Sequence, residues 1–176
     1  MLSNRISIIT LFFIVLSGCT VPLEHMVVPL DMPGWKIGYE NREQFTNNTI
    51  KEIIPQNETI ENWTKLLTIQ YYNGRKDNPE AFMAALESSM KKRCKETSWK
   101  VIEKNDKSIL YEWSIANCSP NKDQHEIASL IKGNNGLHRA AYTEKVKNMN
   151  TETHDAWVKK LSSTYLEKDG KRINRL

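Results

Sequence analysis

Between Trp99 and Val146 the character of the side chains changes at every second residue, the period of an extended strand with one buried face. Trp99, Val101 and Glu103 run up to the turn residues Asn105-Asp106-Lys107, and Ile109, Tyr111, Trp113 and Ile115 then share one side. That pattern predicts a β-hairpin. A second pair is expected over His125–Lys132 and Leu137–Val146, joined by Gly133-Asn134-Asn135-Gly136, whose residues tolerate positive φ. Four consecutive strands with short connections commit the middle of the chain to an antiparallel sheet.

The flanking segments add to that sheet and cover it. Trp35, Ile37 and Tyr39 alternate with Lys36 and Gly38 as in a half-buried strand, and Thr49–Ile54 forms a second short strand ended by Pro55. Asn62–Tyr72 places Trp63, Leu67, Ile69 and Tyr71 on one face, with β-branched and aromatic content that favours strand. Asn78-Pro79 reads as an N-cap followed by proline in the first turn. Phe82, Leu86, Met90 and Cys94 follow at spacing four, which predicts a helix over residues 79–95 with Glu87, Lys91, Lys92 and Lys95 outward. A closing helix over residues 151–166 carries Trp157, Val158, Leu161 and Tyr165, and residues 167–176 are expected to be a loose basic tail. The expected fold class is α+β: one domain over residues 34–166, with an antiparallel sheet of six or seven strands and two amphipathic helices on one face or at its ends. The order of elements is loosely similar to the sandwich of PsbP and Mog1-type proteins, a likeness of fold that implies no chemistry.

The N-terminus concerns location. Arg5 precedes an apolar run from Ile6 to Leu16, which as a helix spans roughly 16 Å, about half of a bilayer's hydrocarbon core. A secretory h-region fits that length and a membrane span does not. The run ends in Leu16-Ser17-Gly18-Cys19, which resembles the lipobox of bacterial lipoproteins. The resemblance implies removal of residues 1–18, diacylglycerol on the Cys19 thiol, and acylation of the new amine. Thr20 in place of Asp implies delivery to the outer membrane, where the protein would face the periplasm. Residues 19–33, with Pro22, Pro29 and Pro33, read as a tether. Its content of Val27, Val28 and Leu30 is high for a spacer, so it is expected to dock either on the domain or on a partner.

Once Cys19 is lipidated, Cys94 and Cys118 are the two cysteines left in an oxidising compartment. A disulfide between them is expected, with two buried thiols as the alternative. In the chain-entropy model the closed loop is worth about 3.5 kcal/mol. The 25 basic and 21 acidic residues, formal net charge +4, are scattered, which makes a solvated surface and no nucleic-acid footprint.

Motifs for catalysis are missing from the sequence: there is no Gly-x-Ser-x-Gly elbow, phosphate loop, dinucleotide glycine cluster or His-Glu-x-x-His. Asp123, His125 and Glu126 are expected to form a solvated polar turn. Alternation would put the last two on opposite sides of a strand, where they cannot share an ion. His138 and His154 show no partners in the sequence. No metal, cofactor or enzymatic activity is expected. The function class expected first is a structural or adaptor component of an envelope assembly, such as a secretion-system accessory, bound to membrane lipid through Cys19 and to a protein partner through Val27, Val28 and Leu30. The second is a carrier of an apolar or lipidic ligand, with which five tryptophans and six methionines are consistent.

Overall fold

The structure is a computed structural model that describes residues 24–119 and 123–175. The lipobox and Cys19 lie outside those residues. No helix among the described residues is long and apolar enough to cross a membrane.

The fold is α+β, as expected. In chain order its strands are β1 (His25–Val27), β2 (Trp35–Arg42), β3 (Thr49–Pro55), β4 (Lys65–Asn73), β5 (Thr97–Lys104), β6 (Ser108–Ile115), β7 (Gln124–Lys132), β8 (Gly136–Glu144), β9 (Tyr165–Lys168) and β10 (Lys171–Arg175). The helices are α1 (Pro79–Arg93) and α2 (Thr151–Ser162). Seven strands pair antiparallel in the order β2-β3-β4-β8-β7-β6-β5, and β1-β9-β10 form a second antiparallel sheet.

β8 explains the layering. All nine of its residues are buried, although its sequence mixes apolar and charged side chains. It lies at the centre of the large sheet and is covered on both sides. Its neighbours Ala128 and Leu130 of β7 and Tyr111 of β6 pack with Leu137 and Ala141 against Met83, Met90 and Cys94. The alternate residues Ala140 and Tyr142 pack with Leu110, Ile127 and Ile131 against Trp157, Leu161 and Leu166. Alternation along each strand makes these two clusters opposite faces. The helices therefore cover opposite faces, one each, a correction to the expected placement on one face or at the ends. Both helices begin where an asparagine caps them: Asn78 Oδ1 accepts from Ala81 N–H at 2.9 Å, and Asn150 Oδ1 from Thr153 N–H at 2.9 Å.

Two segments expected to lie outside the domain belong to it. Met26 of the supposed tether pairs with Leu166 and is buried, and Val28, Leu30 and Met32 pack on the α2-side core. Pro29 limits β1 at its C-terminal end, and the segment is fastened all the same. The supposed tail turns back through Asp169 (φ 54°) and Gly170 (φ 70°), a two-residue hairpin turn with both residues left-handed. β9 thus ends α2 at Ser162, short of the expected 166, because Tyr165–Lys168 pairs with a strand on each side.

The Cys94–Cys118 disulfide is not formed. Both sulfurs are buried in the α1-side core, where they pack as small apolar groups. Cys94 Sγ lies 3.8 Å from the Ala116 carbonyl and Cys118 Sγ 3.7 Å from that of Arg93, so each sulfur meets backbone and the two do not bond to each other.

Candidate functional site

A pocket of about 570 Å³ opens on the α2 side, between β1 and the β2-β3-β4 end of the large sheet. Met26, Ile69 and Tyr71 give it apolar walls, and Glu24 and His138 form its polar floor, with Arg42 at the rim. The floor is built by the β7–β8 turn. Glu24 Oε2 accepts from Asn134 N–H at 3.0 Å and Oε1 from Asn135 N–H at 2.9 Å. Gly133 makes room: a Cβ there would stand 2.1 Å from Glu24 Oε1. The carboxylate is fully enclosed, 110 residues away in sequence from the turn that holds it.

His138 projects from β8 beside it, only 2% exposed, with Tyr71 stacked on its ring at 4.6 Å. Its Nε2 lies 3.6 Å from Glu24 Oε1, beyond hydrogen-bond length, and among the described residues it has no hydrogen-bond partner. Burial pulls the His138 pKa down more than Glu24 raises it, so the ring is held neutral. Burial and Glu24 together push the Tyr71 phenol up. A neutral imidazole with an unsatisfied nitrogen offers one polar contact to a ligand, and among the described residues the hydroxyls that line the pocket are those of Tyr71 and Thr49.

Two further clusters are polar. On the same face, His154 Nε2 lies 2.6 Å and His125 Nε2 3.7 Å from Glu112 Oε2, with Lys100 Nζ 3.2 Å from Oε1. His154 is raised by its bond to Asp155 and, against burial, by Glu112. His125 is lowered by burial, which Glu112 only partly offsets. On the α1 face, Glu126 binds the Arg139 guanidinium and accepts from Trp113 Nε1–H at 2.6 Å and Thr143 Oγ1–H at 3.0 Å. Arg139 also donates to Tyr111 OH at 3.2 Å and Gln70 Oε1 at 2.9 Å. Burial, the largest single cause, would lower the guanidinium pKa, but Glu126, Tyr111 and Tyr72 together outweigh it and the net direction is up, while burial pushes Tyr111 up to about 12.

Among the sequence candidates, His125 and Glu126 do face opposite ways, but they are not a solvated turn: one joins Glu112, the other the Arg139 network. Asp123 Oδ1 caps Asn117 N–H at 2.9 Å. Val28 and Leu30 pack against the chain's own core and Val27 pairs with Tyr165, which is the first of the two expected dockings, on the domain and not on a partner. His138 and His154, for which the sequence shows no partners, sit against Glu24 and Glu112. Sequence reasoning missed Glu24, Glu112 and Arg139. For Arg139 a signal exists: a charge on the inward register of an apolar strand needs a buried counter-charge. Among the described residues no three His, Cys, Asp or Glu side chains are placed to hold a metal ion. Comparison with protein-family models, with curated proteins and with solved structures finds no match for this chain.

Proposed function

We propose that the protein is an outer-membrane lipoprotein facing the periplasm that works as an adaptor in an envelope protein assembly, without catalysing a reaction. The observation that supports a protein partner is the free edge of the large sheet. Among the described residues β2 has a strand neighbour on one side only, and it exposes Ile37 (55%) and Tyr39 (42%). Unpaired backbone groups beside exposed apolar side chains are what an added strand from a partner uses. The bulge between Ile37 and Tyr39 limits such pairing to a short partner segment and guards against sheet-to-sheet aggregation. This edge replaces Val27, Val28 and Leu30 as the partner surface. Crosslinking and co-purification from membranes test it: Ile37→Lys with Tyr39→Glu should lose a stoichiometric partner that Cys19-linked lipidation and folding do not depend on. Retention of that partner would remove β2 as the surface.

A second reading, a carrier of an apolar ligand with one polar group, has the pocket in its favour. Its volume and its apolar walls over a polar floor suit a small ligand. Mass spectrometry of organic extracts of the purified protein separates the two, since a carrier yields stoichiometric lipid and an adaptor yields a protein.

A further inference from the structure

We propose that the end of the large sheet bearing Phe45 lies against the membrane, with Phe45 inserted among the phospholipid headgroups and upper acyl chains. The proposal rests on the reading of Cys19 as the acylated residue, and three observations on the folded domain carry it.

The leash is short. Glu24 is enclosed at the β7–β8 turn, and only residues 20–23 separate it from Cys19. At about 3.3–3.6 Å per residue the acylated cysteine stands no more than about 18 Å from Glu24. A tether running free to Pro33 would have let the domain turn at more than twice that distance, whereas this one keeps the Glu24 end near the bilayer.

The second observation is which parts share that end. β2 runs into it and β3 out of it, as do β7 and β8, because Thr49 pairs with Tyr71 and Asn73 with Gly136. The β2–β3 turn and the β7–β8 turn are therefore at the same edge. Hydrogen bonds join them: Asn73 Nδ2–H donates to the Thr46 carbonyl at 2.9 Å, Gly74 N–H to the Asn135 carbonyl at 2.7 Å, and Asn135 N–H to Glu24 at 2.9 Å. Two strands, β3 and β4, separate β2 from β8, so the turns lie within about 15 Å of each other at a strand spacing near 4.8 Å.

The third observation is Phe45 itself. It is 94% exposed at the tip of the β2–β3 turn, the most exposed large apolar side chain described. The turn that presents it is ordered. Thr46 Oγ1–H donates to Glu43, Asn48 Nδ2–H donates to Glu43 Oε2 at 3.0 Å, and Asn47 takes φ 58°. An aromatic ring held in water by a built turn gains by entering the headgroup region, where amphipathic and aromatic groups concentrate. The loops at this end carry Arg42, Arg75, Lys76, Lys107 and Lys132 against Glu43, Asp77 and Asp106, a small cationic excess. The ring supplies the apolar part of the contact, and the cationic excess beside it suits an anionic headgroup.

The test uses the full lipidated protein in vesicles of phosphatidylethanolamine and phosphatidylglycerol with brominated acyl chains, comparing Phe45→Trp and Val146→Trp with the parent. Val146 follows β8 at the opposite end of the sheet and is exposed. The proposal expects the emission gained in Phe45→Trp to shift to the blue and be lost to bromine quenching, with the emission gained in Val146→Trp unaffected. If the Phe45→Trp emission stays water-like on acylated, vesicle-bound protein, the membrane-facing end alone is overturned. A blue shift already present without vesicles overturns it too, since Phe45 would then be covered by a second copy. An intact mass showing no acyl groups on Cys19 overturns both this proposal and the lipoprotein reading.

Discussion

On each face the large sheet buries a carboxylate beside a basic side chain, Glu126 with Arg139 and Glu24 with His138, and the two pairs are built differently. On the α1 face Glu126 and Arg139 meet directly, and Trp113, Thr143, Tyr111 and Gln70 make further hydrogen bonds with them. On the α2 face Glu24 is satisfied by two backbone amides, while His138 beside it is neutral and, among the described residues, has no hydrogen-bond partner on Nε2. The first pair joins neighbouring strands β7 and β8, and its surroundings raise the Arg139 pKa. The second joins the start of the domain to its centre and includes a histidine whose pKa burial lowers. A satisfied pair is a fixed part of the core, and an unsatisfied one is a fastener that conditions can loosen.

The largest effect expected from breaking this comparison falls on the first pair. Arg139→Met leaves the Glu126 carboxylate buried without its counter-charge and should cost about 3–5 kcal/mol in urea unfolding. Adding Glu126→Gln should restore part of that loss. If the single variant is as stable as the parent, the pair is solvated and its burial is wrong. Next comes the fastener. Glu24→Ala deprives the Asn134 and Asn135 amides of their acceptor, and Gly133→Ala drives a Cβ into the carboxylate. Either should cost about 1–3 kcal/mol, less than the Arg139 variant, and detach β1 with the rest of the domain still folded.

How much of this was legible in the sequence follows the same division. The strands from Trp99 to Val146 could be read because each is long enough to show several alternations and is bounded by turn residues. β1, with three residues between prolines, and β9, with four, are too short to show a period. A basic stretch then reads as tail and a proline-rich one as spacer. Amphipathic periodicity showed that α1 and α2 each have an apolar side, but a helix carries no mark of which sheet face will receive it. The buried charges were obscured for a related reason. Glu126 follows His125 and Asp123, and three polar residues together look like a turn when the pairing partner on β8 is unknown.

pH sharpens the comparison with a smaller effect. Because burial lowers the His138 pKa in the folded state, its contribution to stability is whole above the ordinary value of 6.5 and is lost as pH falls toward the lowered value. His154, raised by Asp155 and Glu112, behaves in the opposite sense: its contribution is whole below 6.5 and is lost as pH rises through its raised value. NMR titration should place the His138 midpoint below 6.5 and the His154 midpoint above it. Acidification from about pH 7.5 to about 5.5 should loosen β1 without disturbing the Arg139 network. Midpoints in the reverse order would contradict the assigned environments.

The central claim is that residues 24–33 are part of the fold, fastened by Glu24, and hydrogen exchange at Asn134 and Asn135 tests it most directly. Their amides donate to a carboxylate 110 and 111 residues away. Both should exchange slowly in the parent protein and lose that protection in Glu24→Ala, while the amides of β6 and β7 keep theirs. Exchange of Asn134 and Asn135 at unprotected rates in the parent, or protection that survives Glu24→Ala, would mean that the N-terminal segment is not fastened there.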